Sequence, residues 1–312
     1  MTEQFGPGMC ARCVTACTVL GSVRLGTVQP TDRVHPTHHT RVHVVQSRQS
    51  RQNNATDIDQ SCPFCVGGRE SPEPYNTRWF VNRWPALPDN CCEVLLYSSQ
   101  HDASLATLPH DAIVALIKMW IERTQHHSAK TNVATVLIFE NRGAAVGATI
   151  NHPHGQLYAF DHVPQRSKQR LQWTPQSQAD LLVDQSNEWN VAGAFASEYP
   201  VALEIWPTTA VSDLPSLSTE QLVDLARVLH RTMSALDAMY QQPLPYMMWI
   251  NQRDFSSTDT SAHMNIEIVS PWRDAGVMRY IAAAEVSTGE YFNPVVPEEL
   301  AATLRELFTR SD

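Results

Sequence analysis

"EVLLYSSQHDASLATLPHDAIVAL" spans residues 93 to 116, and "ALEIWPTTAVSDLPSLSTEQLVDL" spans residues 202 to 225. Placed one over the other at an offset of 109, both read as an apolar strand, a loop and an amphipathic helix. The second helix opens with Ser218 and Gln221 in capping-box spacing, then repeats Leu222, Leu225, Val228, Leu229, Met233 and Leu236 on one face. The first is predicted to run from Pro109, in its first turn, to Gln125, with Ile113, Leu116, Ile117 and Trp120 inward. Another apolar strand follows each helix: "VATVLIFENRG" (133 to 143) and "PYMMWINQR" (245 to 253), offset by 110. A third pair, "HPHGQLYAF" (from 152) and "HMNIEIVS" (from 263), is offset by 111. So small a drift across three elements marks a duplicated half-domain.

The third pair carries the chemistry. Alternate residues of a strand share a face, so His152, His154 and Gln156 are expected to point one way and Asn151, Pro153 and Gly155 the other. Such polar side chains are costly to bury unless something binds them. The second copy reads His263, Asn265 and Glu267 at the matching positions, so only the first carries the middle histidine. One active copy and one degenerate copy would leave one site per chain.

Cys62 and Cys65 stand in C-x-x-C spacing within "SCPFC", and such a pair needs two more ligands to close a tetrahedral zinc site. His101, just beyond the strand Glu93–Tyr97, and His152 are the candidates; a redox pair or two free thiols is the competing reading. Cys10, Cys13 and Cys17 fall in residues 1–30, read as a loosely ordered extension, and Cys91 and Cys92 read as strand-edge cysteines. Seven cysteines in 312 residues argue for reduced thiols or metal ligands rather than a disulfide framework. The net charge of −9 argues against nucleic acid as a partner, which would call for a basic surface. No apolar run approaches the roughly 18 residues of a membrane span. Residues 13 to 23 lack the basic flank and cleavage site of a signal peptide, so the expected location is cytoplasmic.

A neutral imidazole is a good nucleophile toward phosphorus near neutral pH. The loop "ENRGAAVGAT" (140 to 149) leads into the histidine strand. Its Gly143 and Gly147 let backbone amides approach a phosphate, and Asn141 and Thr149 add side-chain donors. On its own, H-x-H fits a metal-binding pair or satisfied core histidines as well as a nucleophile.

"FENRGAAVGATINHPHGQLYAF" (139 to 160) closely resembles the active-site segment of the galactose-1-phosphate uridylyltransferase family, within the histidine-triad superfamily. The resemblance runs over roughly residues 33 to 307 and takes in "SRQSR" (47 to 51), "CPFC", "NRWPAL" (82 to 87), "YSSQHDASL" (97 to 105) and "EVSTGEYFNPVVPEELAATLR" (285 to 305). It implies an α+β fold of two histidine-triad-like half-domains forming one extended, mainly antiparallel sheet with flanking helices. The halves would be residues 31–190 and 191–312. It implies a ping-pong transfer of UMP from UDP-glucose to galactose-1-phosphate. His154 would be uridylylated, Gln156 would donate to the phosphoryl group, and His152 would join Cys62, Cys65 and His101 on one structural zinc. Asn141, Gly147 and Thr149 would line the phosphates and Asn82 the nucleoside. Arg48 and Arg51 would reach phosphate across a homodimer interface, and Arg279 and Glu285 fall where the family binds the hexose. Some members carry a second metal in the second half; Arg170, Asn251, Asn265 and Glu267 occupy the matching positions, so that site is expected to be missing. Arg83 replaces an acidic residue beside the ribose, which leaves the base open, and His263 reads as structural. Inorganic phosphate or another sugar phosphate as acceptor is the alternative activity. A non-enzymatic nucleotide-binding zinc protein would have no need of His154 and Gln156 together.

Overall fold

The duplicated pattern builds one nine-stranded antiparallel sheet, seen in a computed structural model that describes residues 31–49, 62–175 and 178–309. Arg51 and the cysteines at 10, 13 and 17 lie outside the described residues. Strands β1 (Thr31–Val34) and β2 (Arg41–Val44) form a separate hairpin. The first half of the sheet contains β3 (Arg78–Val81), β4 (Cys92–Leu96), β5 (Thr135–Arg142) and β6 (His154–Phe160), with α1 (His110–Ser128) between β4 and β5. After α2 (Gln165–Leu171) come β7 (Leu182–Gln185), β8 (Trp189–Gly193), β9 (Val201–Pro207), α3 (Thr219–Met239), β10 (Tyr246–Asn251) and β11 (Asn265–Ser270). The chain continues through a small hairpin, β12 (Trp272–Asp274) and β13 (Val277–Met278), to α4 (Ala283–Thr288) and α5 (Pro297–Thr309).

The strand order is β3-β4-β6-β5-β10-β11-β9-β8-β7. Strands β4, β6 and β5 on one side of the β5/β10 seam therefore mirror β9, β11 and β10 on the other. Strand β8 spans residues 190 and 191, so the boundary expected there falls inside a strand that pairs with β9.

Both long helices form as their patterns dictate. Pro109 precedes α1, and Ile113, Leu116, Ile117 and Trp120 are buried beneath it. Ser218 caps α3, its Oγ accepting from Gln221 N while Gln221 Oε1 accepts from Ser218 N. The two helices pack together on one face of the sheet, and the main core lies between them and the strands.

The register corrects the repeat by one residue. Gln156 lies opposite Val94 on β4 and Phe139 on β5, and Glu267 lies opposite Glu204 on β9 and Trp249 on β10. Strands β4 and β9 thus correspond at an offset of 110, while the helices keep 109. The whole of β4 is buried, so its sequence has no alternation to fix a register, and a slip of one residue exchanges the faces of a strand.

Candidate active site

Strand β6 begins at His154, and His152 sits in the bend just ahead of it. His154 and Gln156 share the half-exposed face, with Gly155, Leu157 and Ala159 buried behind. The expected three-residue face is therefore two strand residues plus a lead-in. The His152 ring turns into the protein and is only 1% exposed.

There it meets Cys62, Cys65 and His101, and the ligand atoms of the four lie within 4.8 Å of one another. Nδ1 of His152 is 3.8 Å from Cys62 Sγ and 3.6 Å from Cys65 Sγ, and Nδ1 of His101 is 3.4 Å from Cys65 Sγ. For metal–sulfur and metal–nitrogen bonds of about 2.3 and 2.1 Å, tetrahedral geometry separates neighbouring S and N by about 3.6 Å. The donors fit a metal ion.

The groups behind the ligands decide which histidine nitrogen is available. His152 Nε2–H donates to Ser98 O at 2.7 Å, which leaves Nδ1 with its lone pair toward the cysteines. The Tyr75 hydroxyl lies 2.8 Å from the same Nε2 and donates to Phe64 O at 2.6 Å. Tyr75 so ties together the cysteine loop, the end of β4 and the histidine lead-in. Sequence reasoning missed it, because a single tyrosine in "SPEPY" has neither spacing nor period to mark it. Burial lifts the Tyr75 hydroxyl to about 12, so it stays a donor. Burial holds His152 below its ordinary value, in the unprotonated form that binds metal. Burial and then the neighbouring Cys62 push the Cys65 thiol up, an effect that a cation between the sulfurs would reverse.

His154 Nδ1–H donates to the carbonyl of His152 at 2.7 Å, so the lone pair resides on Nε2. The Phe64 ring stands edge-on at 5.1 Å. Gln156 Oε1 accepts from Asn82 Nδ2 at 3.3 Å, which turns the glutamine NH2 away from Asn82. Asn82 is itself fixed, its Oδ1 accepting from Trp84 N at 2.9 Å.

Asn141 shares the site face of β5 with Phe139 and leads into the glycine loop, which ends at Thr149. Gly147 is left-handed, with φ of 84°, and nothing would lie within 4 Å of a Cβ there. Its N–H donates to Ala144 O, closing the turn, so Gly147 contributes the backbone shape and an open approach rather than a donor. Arg142 anchors the loop by a bidentate bond to Asp237 of α3, at 2.7 and 2.9 Å.

The β1–β2 hairpin sets its His43 ring beside Phe160 and His162, at the far end of β6. Arg48 follows; burial lifts the Cys92 thiol to about 11, opposed first by the backbone donors at Leu87 and Ala86 and last by the Arg48 charge. Cys92 faces Tyr158 in the register, four positions along β6 from His154, and belongs to an interior strand rather than a sheet edge. Arg279 and Glu285 form a buried salt bridge with each other. Glu285 also accepts from Ala282 N and Phe292 N, so it holds the 279–292 segment together.

The second half keeps the framework and changes the side chains. His263 Nε2–H donates to Pro207 O at 2.9 Å, as His152 does to Ser98. Asn265 Nδ2 donates to His263 O at 3.2 Å, as His154 does to His152. Around Asn265 stands a cation of the chain's own. The Arg170 guanidinium donates to Asn265 Oδ1 at 3.0 Å and to Glu204 at 2.7 Å, lies 3.3 Å from Glu267, and covers the Trp173 ring at 4.1 Å. Asn251 Nδ2 donates to Asn265 and Glu267.

Residues 88–164 match the family model for galactose-1-phosphate uridyl transferase, N-terminal domain. A galactose-1-phosphate uridylyltransferase of Thermotoga maritima is 33% identical over 300 residues, covering 84% of this chain and 94% of that one. An ADP-glucose phosphorylase of Arabidopsis thaliana is 24% identical over 301 residues, covering 81% of this chain and 84% of that one. A solved uridylyltransferase structure superposes with a TM-score of 0.78 at 24% identity, over 90% of this chain and 99% of its own. The fold is that of the uridylyltransferases. With the Thermotoga relative matched across most of both chains, the chain belongs to the galactose-1-phosphate uridylyltransferase family.

Proposed function

We propose that the protein exchanges UMP between UDP-glucose and galactose-1-phosphate by two successive displacements at His154. The observation that carries this reading is the bond from His154 Nδ1–H to His152 O, which puts the ring's lone pair on Nε2, on the half-exposed face of β6. Nε2 attacks the α-phosphorus; the N–P bond forms as the P–O bond to glucose 1-phosphate breaks, and the leaving phosphate keeps the electron pair. A phosphate oxygen of galactose-1-phosphate then attacks the same phosphorus, and the N–P electrons return to the imidazole. No net proton is gained or lost. The positive charge that develops on the ring is stabilised by the partial negative charge of the His152 carbonyl oxygen, to which Nδ1–H donates. Gln156 donates to a non-bridging oxygen, a contribution of roughly two to three orders of magnitude.

In this reading Asn141, Gly147 and Thr149 surround the phosphates and Asn82 holds the nucleoside. Arg48 and Arg51 reach phosphate from the second chain of a homodimer. Arg279 and Glu285 shape the segment that receives the hexose, a role their mutual salt bridge supports. Cys62, Cys65, His101 and His152 hold one zinc, whose role when bound is fixed tetrahedral ligation without redox chemistry. The protein acts in the cytoplasm; no helix among the described residues is long and apolar enough to cross a membrane.

The Arabidopsis phosphorylase relative favours a second reading, with inorganic phosphate as acceptor and adenosine as the nucleoside. Intact-mass measurement after incubation with a panel of nucleotide sugars separates the two. A UMP-sized gain released by galactose-1-phosphate supports the first reading, and an AMP-sized gain released by phosphate supports the second. Absence of any acid-labile adduct on the wild-type chain removes both.

A further inference from the structure

Behind the nucleophile strand lies a polar cluster that the transfer reaction, as described, leaves without a role. Gly155 stands between His154 and Gln156 with its Cα turned to the opposite face, and the Tyr97 hydroxyl occupies the space a Cβ there would need. Tyr97 is fully buried at the end of β4. On the same side, Glu140 of β5 comes next to Phe139, which pairs with Gln156, so the register sets Glu140 opposite Gly155. Tyr246 of β10, also fully buried, approaches from the seam. The oxygens Tyr97 Oη, Tyr246 Oη and Glu140 Oε2 are all buried and lack a hydrogen bond of standard geometry. Both hydroxyls nevertheless act on the carboxyl, as does Arg142, against the burial that lifts it to about 7.

The second half shows what stability alone would place there. By the sheet register Gly155 corresponds to Ile266 and Glu140 to Ile250, both fully buried and apolar. A buried carboxyl costs more than a packed isoleucine. The half that lost the nucleophile has the apolar backing, and the half that kept it has the polar one.

We propose that Tyr97 and Glu140 are positioning residues for the transfer: through Gly155 they brace the back of β6 and set how His154 and Gln156 aim at one phosphorus. The brace acts on geometry, since neither group reaches the face where the nucleotide would lie. Reactive groups need placement within a fraction of an ångström, and Tyr97 Oη fills the space behind Gly155 into which the strand would otherwise shift. This inference rests on His154 being the nucleophile.

The test is the single-turnover rate of adduct formation from UDP-glucose, read by intact mass so that rate and amplitude separate. Tyr97→Phe keeps the ring and removes only the hydroxyl. It should slow adduct formation at least ten-fold while the final amplitude and the half-saturating UDP-glucose stay at the wild-type values. Glu140→Ile, which copies the second half, should slow it similarly. Glu140→Gln, whose amide still accepts from a tyrosine hydroxyl, should stay within about three-fold of wild type. If Tyr97→Phe forms adduct at the wild-type rate, the proposal is overturned, even if melting temperature or amplitude falls. Should Glu140→Ile fail to fold, the Tyr97→Phe rate decides alone. A wild-type chain that forms no adduct would instead sink the nucleophile assignment, so the two failures are distinguishable.

Discussion

On one side of the β5/β10 seam a histidine backbone carbonyl receives the Nδ1–H of His154; on the other the equivalent carbonyl receives the amide of Asn265. On one side an imidazole Nε2 is tied to Ser98 O, on the other to Pro207 O. These bonds survive in both halves because they hold the lead-in of a strand, whatever that strand does. What differs is what the frame presents. The first half offers a nitrogen lone pair, a neutral amide and four metal donors. The second offers Arg170 clamped by Glu204, Glu267 and Asn265. The proposed ligation and nucleophilicity would therefore rest on a few side chains carried by a shared frame, so each can be altered one side chain at a time.

The largest effect falls on the two residues at the matching centre. His154→Ala should lower UMP transfer by four orders of magnitude or more, and Asn265→Ala by less than two-fold; comparable losses from both would end the distinction between the halves. His154→Gly should accept a preformed uridine 5′-phosphoimidazolide and pass UMP on to the sugar phosphate, which isolates the second displacement. Next comes the metal. Cys62→Ser or Cys65→Ser should drop zinc from one per chain toward none and lower the melting temperature, because ligation contributes directly to folding free energy. Asn251→Ala and Glu267→Gln should leave the metal count unchanged. Metal analysis of purified proteins checks both, and a second equivalent lost with the latter pair would break the comparison. Gln156→Ala should cost about two to three orders of magnitude in transfer, the scale of one donor to a developing charge.

How much of this the sequence shows depends on whether a residue sits in a pattern. The α3 helix was legible because Leu222 through Leu236 repeat at helical spacing behind a capping box. Cys62, Cys65, His101 and His152 could be proposed as one set because ligand chemistry is narrow, and the fold brings all four together. The register of β4 was not legible, because a strand buried on both faces carries no alternation. Tyr75, Tyr97 and Glu140 were invisible for a different reason: each acts through a contact with a distant segment. That Arg279 and Glu285 pair with each other was not legible either, because a salt bridge between residues on an irregular segment leaves no spacing to mark it.

The backs of the two halves also differ in how they respond to pH. Burial raises Glu140 from an ordinary 4.5 to about 7 in the folded chain. Between those values the folded chain holds a proton that the unfolded chain has released, so this group's contribution to stability falls as pH rises from about 4.5 through 7 and is level above. Ile250, its counterpart, contributes no such slope. Glu140→Gln should therefore gain on wild type as pH is raised from 5 to 8, in denaturant unfolding measured at each pH. A difference that stays constant across that range would show that the carboxyl does not titrate there.

The smallest effect belongs to Arg170, and it asks whether the second half contributes anything to the chemistry. Its side chain is 16% exposed, and those of Glu204 and Glu267 are 20% and 17% exposed. The cluster thus lies between a surface pair, worth at most about 1 kcal/mol, and a fully buried pair, whose disruption costs about 3–5 kcal/mol. Arg170→Met should destabilise the chain by roughly 2 kcal/mol at neutral pH. Burial already raises Glu204, Arg170 pulls it back, and Glu267 pushes it up, so losing the guanidinium leaves two carboxylates in mutual repulsion. Adding Glu204→Gln to Arg170→Met should recover a good part of the loss, since the double change removes the repulsion along with the cation. Transfer per folded chain should stay within two-fold of wild type in both variants. If Arg170→Met folds with normal stability and loses more than ten-fold in transfer, Arg170 serves the reaction itself, and the cluster around Asn265 can no longer be treated as frame alone.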